Sequence, residues 1–132
     1  MSAKINPKLR YTKSHEWVEI LPADEVRVGI TDHAQESLGD ITYFELPAVG
    51  KTFTQGQVLG FVESVKAVSD IYAPVGLEVI QVNAALDQKP EVVNQSPYDQ
   101  GWYIKARVKD KNQLEELLSA KAYEEYLSAE SH

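Results

Sequence analysis

The sequence predicts a mostly-β fold, a flattened barrel or sandwich of short antiparallel strands with short helices and one C-terminal amphipathic helix. Three observations carry this reading. Apolar and polar residues alternate through several short runs, among them Val26-Arg27-Val28-Gly29-Ile30 and Trp102-Tyr103-Ile104-Lys105-Ala106-Arg107-Val108. Proline, glycine and aspartate punctuate those runs. Beyond Val108 the spacing shifts, and Leu114, Leu117, Leu118, Ala122 and Tyr126 recur near the helical period. A chain of 132 residues supports one core, so a single domain over residues 1–132 is expected, with its β body at about 10–108 and its helix at about 111–129.

Each element follows from its residues. Two apolar runs, residues 17–21 and 26–30, flank Pro22-Ala23-Asp24, which is a hairpin signal. Thr31 can cap a short helix whose Ala34 and Leu38 lie four apart and which Gly39 can stop. Residues 40–46 resume as a strand, broken by Pro47-Ala48-Val49-Gly50. The turn Thr54-Gln55-Gly56 leads into a strand at about 57–65, with Val58 and Val62 on one side and Leu59, Phe61 and Val65 on the other. Residues 68–72 form the next strand. Ala73-Pro74-Val75-Gly76 fits a type I turn before a strand at 78–83. Residues 84–87 read as a helical turn, 90–94 as ambiguous and 95–101 as loop. At the start of the last helix, Asp110 and Gln113 suit the cap and its third-position partner.

Composition narrows the function. Thirteen basic residues against twenty acidic ones give a net charge of −7, the opposite of the basic footprint that nucleic-acid binding requires. There is no cysteine, hence no disulfide, thiolate nucleophile or cysteine-based metal site. No ligand pair has metal spacing and no glycine-rich loop is built to cradle a nucleotide phosphate. Residues 1–10 lack the apolar core of a secretory signal, and no apolar run approaches the length of a membrane span. No membrane association is expected, and the expected compartment is the cytoplasm, or the mitochondrial matrix where a presequence has been removed.

The chemistry concentrates at Lys66, in Val62-Glu63-Ser64-Val65-Lys66-Ala67-Val68-Ser69-Asp70-Ile71-Tyr72. Strands on both sides place it at a turn, in water. An exposed lysine is protonated at neutral pH and a weak nucleophile, whereas enzymes that use lysine directly bury it. Exposure instead suits acylation by another enzyme.

This stretch resembles the lipoyl-lysine hairpin of the glycine cleavage system H protein family. The similarity extends from Lys13-Ser14-His15-Glu16-Trp17-Val18 through Gly29-Ile30-Thr31-Asp32-His33-Ala34-Gln35, Leu38-Gly39-Asp40 and Glu45-Leu46-Pro47 to Val82-Asn83-Ala84-Ala85-Leu86, Pro97-Tyr98 and Gly101-Trp102. The resemblance implies a lipoyl/biotinyl-carrier-like barrel-sandwich hybrid with lipoic acid in amide linkage on Lys66. It implies that Glu63, Ser64, Val65, Ala67 and Asp70 form the recognised flank of the hairpin, Glu63 helping the lipoylating enzyme. Glu16 and His33, with Asp70, are implied as a cleft for the loaded arm. Biotin-accepting hairpins place methionine on both sides of the lysine, and Val65 and Ala67 stand there instead, which favours lipoate. A thiol-free chain also cannot trap a dithiol arm as a mixed disulfide.

The implied role is a non-catalytic carrier of the aminomethyl group of glycine. Its implied partners are a glycine decarboxylase, an aminomethyltransferase, a dihydrolipoyl dehydrogenase and a lipoylating enzyme. A lipoate relay that donates to other lipoyl domains and an unmodified binding module are the alternatives. One departure from the family stands out: after Pro74-Val75 the family commonly has Ser-Gly-Glu, and this chain has Gly76-Leu77-Glu78. Leu77 is therefore expected to strain a place often given to glycine.

Overall fold

The computed structural model describes residues 4–130. The leader expectation for residues 1–10 thus falls partly on residues 1–3, which lie outside the described residues. Nine strands appear among the described residues: β1 Arg10–Tyr11, β2 Glu16–Ile20, β3 Glu25–Ile30, β4 Ile41–Phe44, β5 Thr52–Phe53, β6 Val58–Ser64, β7 Val68–Tyr72, β8 Leu77–Val82 and β9 Ile104–Val108. Five helices accompany them: α1 Asp32–Leu38, α2 Ala85–Gln88, α3 Val92–Gln95, α4 Asn112–Glu115 and α5 Ala120–Glu130. The strands make a six-stranded sheet in the order β1-β2-β3-β9-β8-β5 and a three-stranded sheet in the order β4-β6-β7, antiparallel throughout. The mostly-β expectation holds.

Local chemistry explains the joints. The β2–β3 reversal is made by Ala23 and Asp24, both at positive φ (62° and 63°). Thr31 Oγ1 accepts from the Ala34 N–H to start α1, and Gly39, at φ 77°, ends it with its own N–H on the Gln35 carbonyl. Both sheets feed one apolar core, with Val28, Val79 and Ile104 from the larger and Phe44, Val62 and Ile71 from the smaller. The first three residues of β2 are buried on both faces. Val18 points into that core, while Trp17 points the other way, into a second, aromatic cluster with Leu9, Tyr11 and Tyr123.

Five expectations need correction. Leu59 and Val62 do not lie on opposite sides of β6; both enter the main core, because a register shift between Val58 and Gly60 inserts an extra residue and leaves Val58 exposed. The C-terminal helix is not continuous: the Leu118 N–H and C=O pair with Tyr11 (2.8 Å each way), a β bridge that breaks the helix between α4 and α5. Gln113 does not close a capping box; its Oε1 accepts from the Gly76 N–H at 2.6 Å. That bond also removes the closed turn at residues 73–76, since the Ala73 carbonyl is taken by the Gly56 N–H. The segment is instead the buried crossover between the sheets, and Leu77 begins β8 fully buried with no positive φ. The displaced glycine thus creates no strain. Two-residue β1 and β5 lacked any run long enough to announce them.

Candidate functional site

Lys66 sits at the tip of the β6–β7 hairpin with its side chain exposed. Its turn is stitched by one hydroxyl. Ser64 Oγ accepts from the N–H groups of Lys66 (3.3 Å) and Ala67 (3.1 Å), while the Ser64 N–H closes the reversal on the Ala67 carbonyl (2.8 Å). Beyond it, the Val65 N–H donates to the Asp40 carbonyl at 3.0 Å, which ties the tip to the loop after α1. Lys66 Cε lies 3.6 Å from where a Cβ on Gly39 would stand. The lysine stem therefore runs over a glycine whose φ forbids easy substitution.

That loop is clamped in turn by Asn94 on α3. Its Oδ1 accepts from the Ile41 N–H (3.0 Å), and its Nδ2 donates to the Gly39 carbonyl (2.8 Å) and to Gln35 Oε1 (2.9 Å). Sequence reasoning missed Asn94, because it lies in the ambiguous stretch and only the fold brings it to the loop. Among the described residues Lys66 makes no ion pair. A backbone-fixed turn carrying a free, exposed amine fits amide attachment of a lipoyl group, since acylation displaces no structural contact.

Glu16 is 1% exposed, and burial pushes its carboxyl above the ordinary carboxylate range. Three donors oppose that push: Thr12 Oγ1 and Ser14 Oγ, each 2.6 Å from Oε1, and the Tyr72 N–H, 3.2 Å from Oε2. Glu16 borders a hollow of about 350 Å³ that Ser14, Gln55, Tyr72, Pro74 and Leu118 help line. A buried carboxylate beside an open hollow can receive a cationic group. The only sequence signal for its collar was two hydroxyl residues, Thr12 and Ser14, just before an acid at a strand start.

The structure does not gather all the expected site residues. Tyr72 links Glu16 to β7, the strand that bears Asp70, but Asp70 is exposed on the outer side opposite Phe61. His33 lies on α1 with its ring 4.5 Å from that of His15, and it does not line the hollow. Glu63 is half-buried, paired between Tyr43 and Val68, and Val65 and Ala67 flank the lysine exposed. Among the described residues no group of three metal-binding side chains occurs. No helix among them is long and apolar enough to cross a membrane.

Known proteins resemble this chain over almost all its length. The family model described as Glycine cleavage H-protein matches residues 9–130. A glycine cleavage system H protein of Thermus thermophilus is 52% identical over 127 residues, covering 95% of this chain and 98% of the relative. A probable glycine cleavage system H protein of Pyrococcus furiosus is 54% identical over 125 residues, covering 94% and 92%. The crystal structure of a glycine cleavage system H protein from Mycobacterium marinum superposes with a TM-score of 0.81 at 37% identity, covering 97% of this chain and all of that one. With the family model spanning the hairpin, the hollow and both sheets, the chain belongs to the glycine cleavage H-protein family.

Proposed function

We propose that this protein is the lipoyl carrier of a glycine cleavage system, with lipoic acid in amide linkage on Lys66. The single observation behind this reading is the exposed Lys66 amine, without an ion pair among the described residues, on a turn whose backbone is fixed independently of it. When attached, the group supplies a dithiolane that accepts the aminomethyl unit of glycine and undergoes two-electron exchange. The protein's own residues do the rest. Ser64 and Asp40 hold the tip in shape for the lipoylating enzyme, with Glu63, Val65, Ala67 and Asp70 as the flank it reads. Glu16, held by Thr12 and Ser14, offers a buried carboxylate to an ammonium entering the hollow. His33, packed on His15, stands apart from that contact.

In this reading the protein performs no reaction of its own and works in the cytoplasm. A pyridoxal-phosphate glycine decarboxylase loads it, a folate-dependent aminomethyltransferase unloads it, and a flavin dihydrolipoyl dehydrogenase restores the disulfide. Intact mass of protein from its native source carries the added lipoyl mass, mapped to Lys66, and Lys66→Ala loses it while melting within a degree or two of the parent, as solvent-side substitutions do at about ±0.5 kcal/mol. Loaded protein then supports exchange of labelled bicarbonate into glycine with the decarboxylase. Native protein without the mass, or with it on another residue, rules the assignment out.

A further inference from the structure

The outward face of the three-stranded sheet is apolar where a solvent-washed sheet face is ordinarily polar. Tyr43, Phe61, Val68 and Tyr72 share it: Tyr43 and Val68 both pair with Glu63, Phe61 pairs with Asp70, and Tyr72 with Val58. Tyr43 is 47% exposed and Val68 67%, and the Tyr43 and Phe61 rings lie 5.8 Å apart. Three acids are set among them. Glu63 and Asp70 belong to the same pairs, and the Glu45 N–H bonds the Phe61 carbonyl, which makes that exposed acid the cross-strand neighbour of Phe61.

Charge is handled differently on the two sheets. On the larger one, acids and bases on neighbouring strands neutralise one another: Arg27 with Glu19 (2.7 Å), Lys105 with Glu25 (3.3 Å) and Arg107 with Glu78 (3.7 Å). On the smaller one, Glu45, Glu63 and Asp70 make no ion pair among the described residues. Lys66 is the sole base in β4, β6, β7 and the turn between them, and acylation removes its charge.

We propose that the outward β4–β6–β7 face, centred on Tyr43 and Phe61, docks a partner enzyme whose active-site mouth presents an apolar surface rimmed by lysine and arginine. The proposal rests on the carrier reading above. An enzyme that receives a group tethered to Lys66 has to abut this sheet, since the lysine turn joins two of its strands. An apolar centre with a charged rim is the anatomy of a transient protein interface, and the unpaired acids supply the attraction that raises its encounter rate. A second copy of the chain fits badly, because it would set these acids against themselves.

The test uses full-length lipoylated protein and the glycine decarboxylase, with Tyr43→Ser and Glu45→Lys as variants and Ile20→Ser, exposed on the other sheet, as control. Calorimetric Kd for the decarboxylase and KM for the carrier in bicarbonate exchange both rise at least tenfold in each variant. The kcat changes less than twofold, and Glu45→Lys flattens the salt dependence. The control stays within twofold. Hydrogen exchange shows residues 41–46 and 57–72 protected by the enzyme. Variants within twofold of the parent overturn the docking face while leaving the carrier role intact. A dimer that Tyr43→Ser converts to monomer, with decarboxylase affinity unchanged, assigns the face to a second copy and also overturns it. Wild-type protein that carries no lipoyl mass, or carries it and supports no exchange, overturns the carrier reading and this surface with it.

Discussion

At the scale of single residues, Glu16 and Asn94 show how a polar side chain is kept inside a small β protein. Glu16 is buried with three donors on its carboxylate, yet burial outweighs them and its pKa is raised. A carboxyl that holds its proton more tightly in the fold than in the unfolded chain favours the fold below the ordinary value of 4.5 and opposes it increasingly as pH rises toward the folded value. The melting temperature of Glu16→Gln relative to the parent therefore rises between pH 4 and pH 7, on top of a pH-independent loss where the amide NH2 replaces an oxygen that accepts a hydrogen bond. A difference equal at both pH values sinks the account of a carboxylate disfavoured by burial. Asn94 is the opposite case, an amide with every contact met. Asn94→Ala leaves the Ile41 N–H and the Gly39 carbonyl without their partner, at a cost of about 2–3 kcal/mol by denaturant titration. Because the Asp40 carbonyl holds Val65, the Val65 amide exchanges faster in that variant than in the parent, beyond what the lowered global stability accounts for.

At the scale of elements, β6 decides how the lysine is presented. Its register shift turns Leu59, Gly60 and Val62 inward and lets Phe61 and Glu63 face out. Gly60 is the tight point: a Cβ there would clash with both the Glu45 carbonyl oxygen and the Tyr103 hydroxyl, which itself donates to that carbonyl. Gly60→Ala is expected to cost about 1–3 kcal/mol, as overpacking does, seen as a lower denaturation midpoint at unchanged slope. Alternation alone could not find this bulge, which is why the sequence reading put Val62 on the wrong side. Where a signal is local, reading succeeds: the Thr31 cap and Gly39 stop of α1, the β2–β3 turn and the boundaries of β7 all stand as expected. Where a contact is distant in sequence, reading fails. Leu118 has a helical spacing, but its backbone is claimed by Tyr11, and Gln113 leaves its cap for Gly76. The site divides the same way, with Lys66 legible at its turn and the Thr12, Ser14 and Tyr72 donors to Glu16 visible only once folded.

At the scale of the whole molecule, the two buried clusters have separate duties, and β2 is the wall between them. The main core joins the two sheets and contains no residue of α5. The aromatic cluster fastens the Leu9–Tyr11 segment and α5 to the outer side of β2: the Tyr11 and Tyr123 rings stack at 4.6 Å, Trp17 Nε1–H donates to the Pro97 carbonyl at 2.9 Å, and the Tyr123 hydroxyl lies 2.8 Å from both His15 Nδ1 and Thr31 Oγ1. The lysine hairpin draws on the main core through Val62 and Ile71, not on the aromatic cluster. Ending the chain after Ser119 should therefore uncover Trp17, now fully buried, and red-shift its emission, while lowering the melting temperature. Lys66 should still accept a lipoyl group in that shortened protein at a rate within about threefold of the parent, since a threefold change is only about 0.65 kcal/mol. Loss of lipoylation together with the helix, at a temperature where circular dichroism shows the sheets still folded, would show that the aromatic clamp shapes the hairpin after all and that the two clusters act as one.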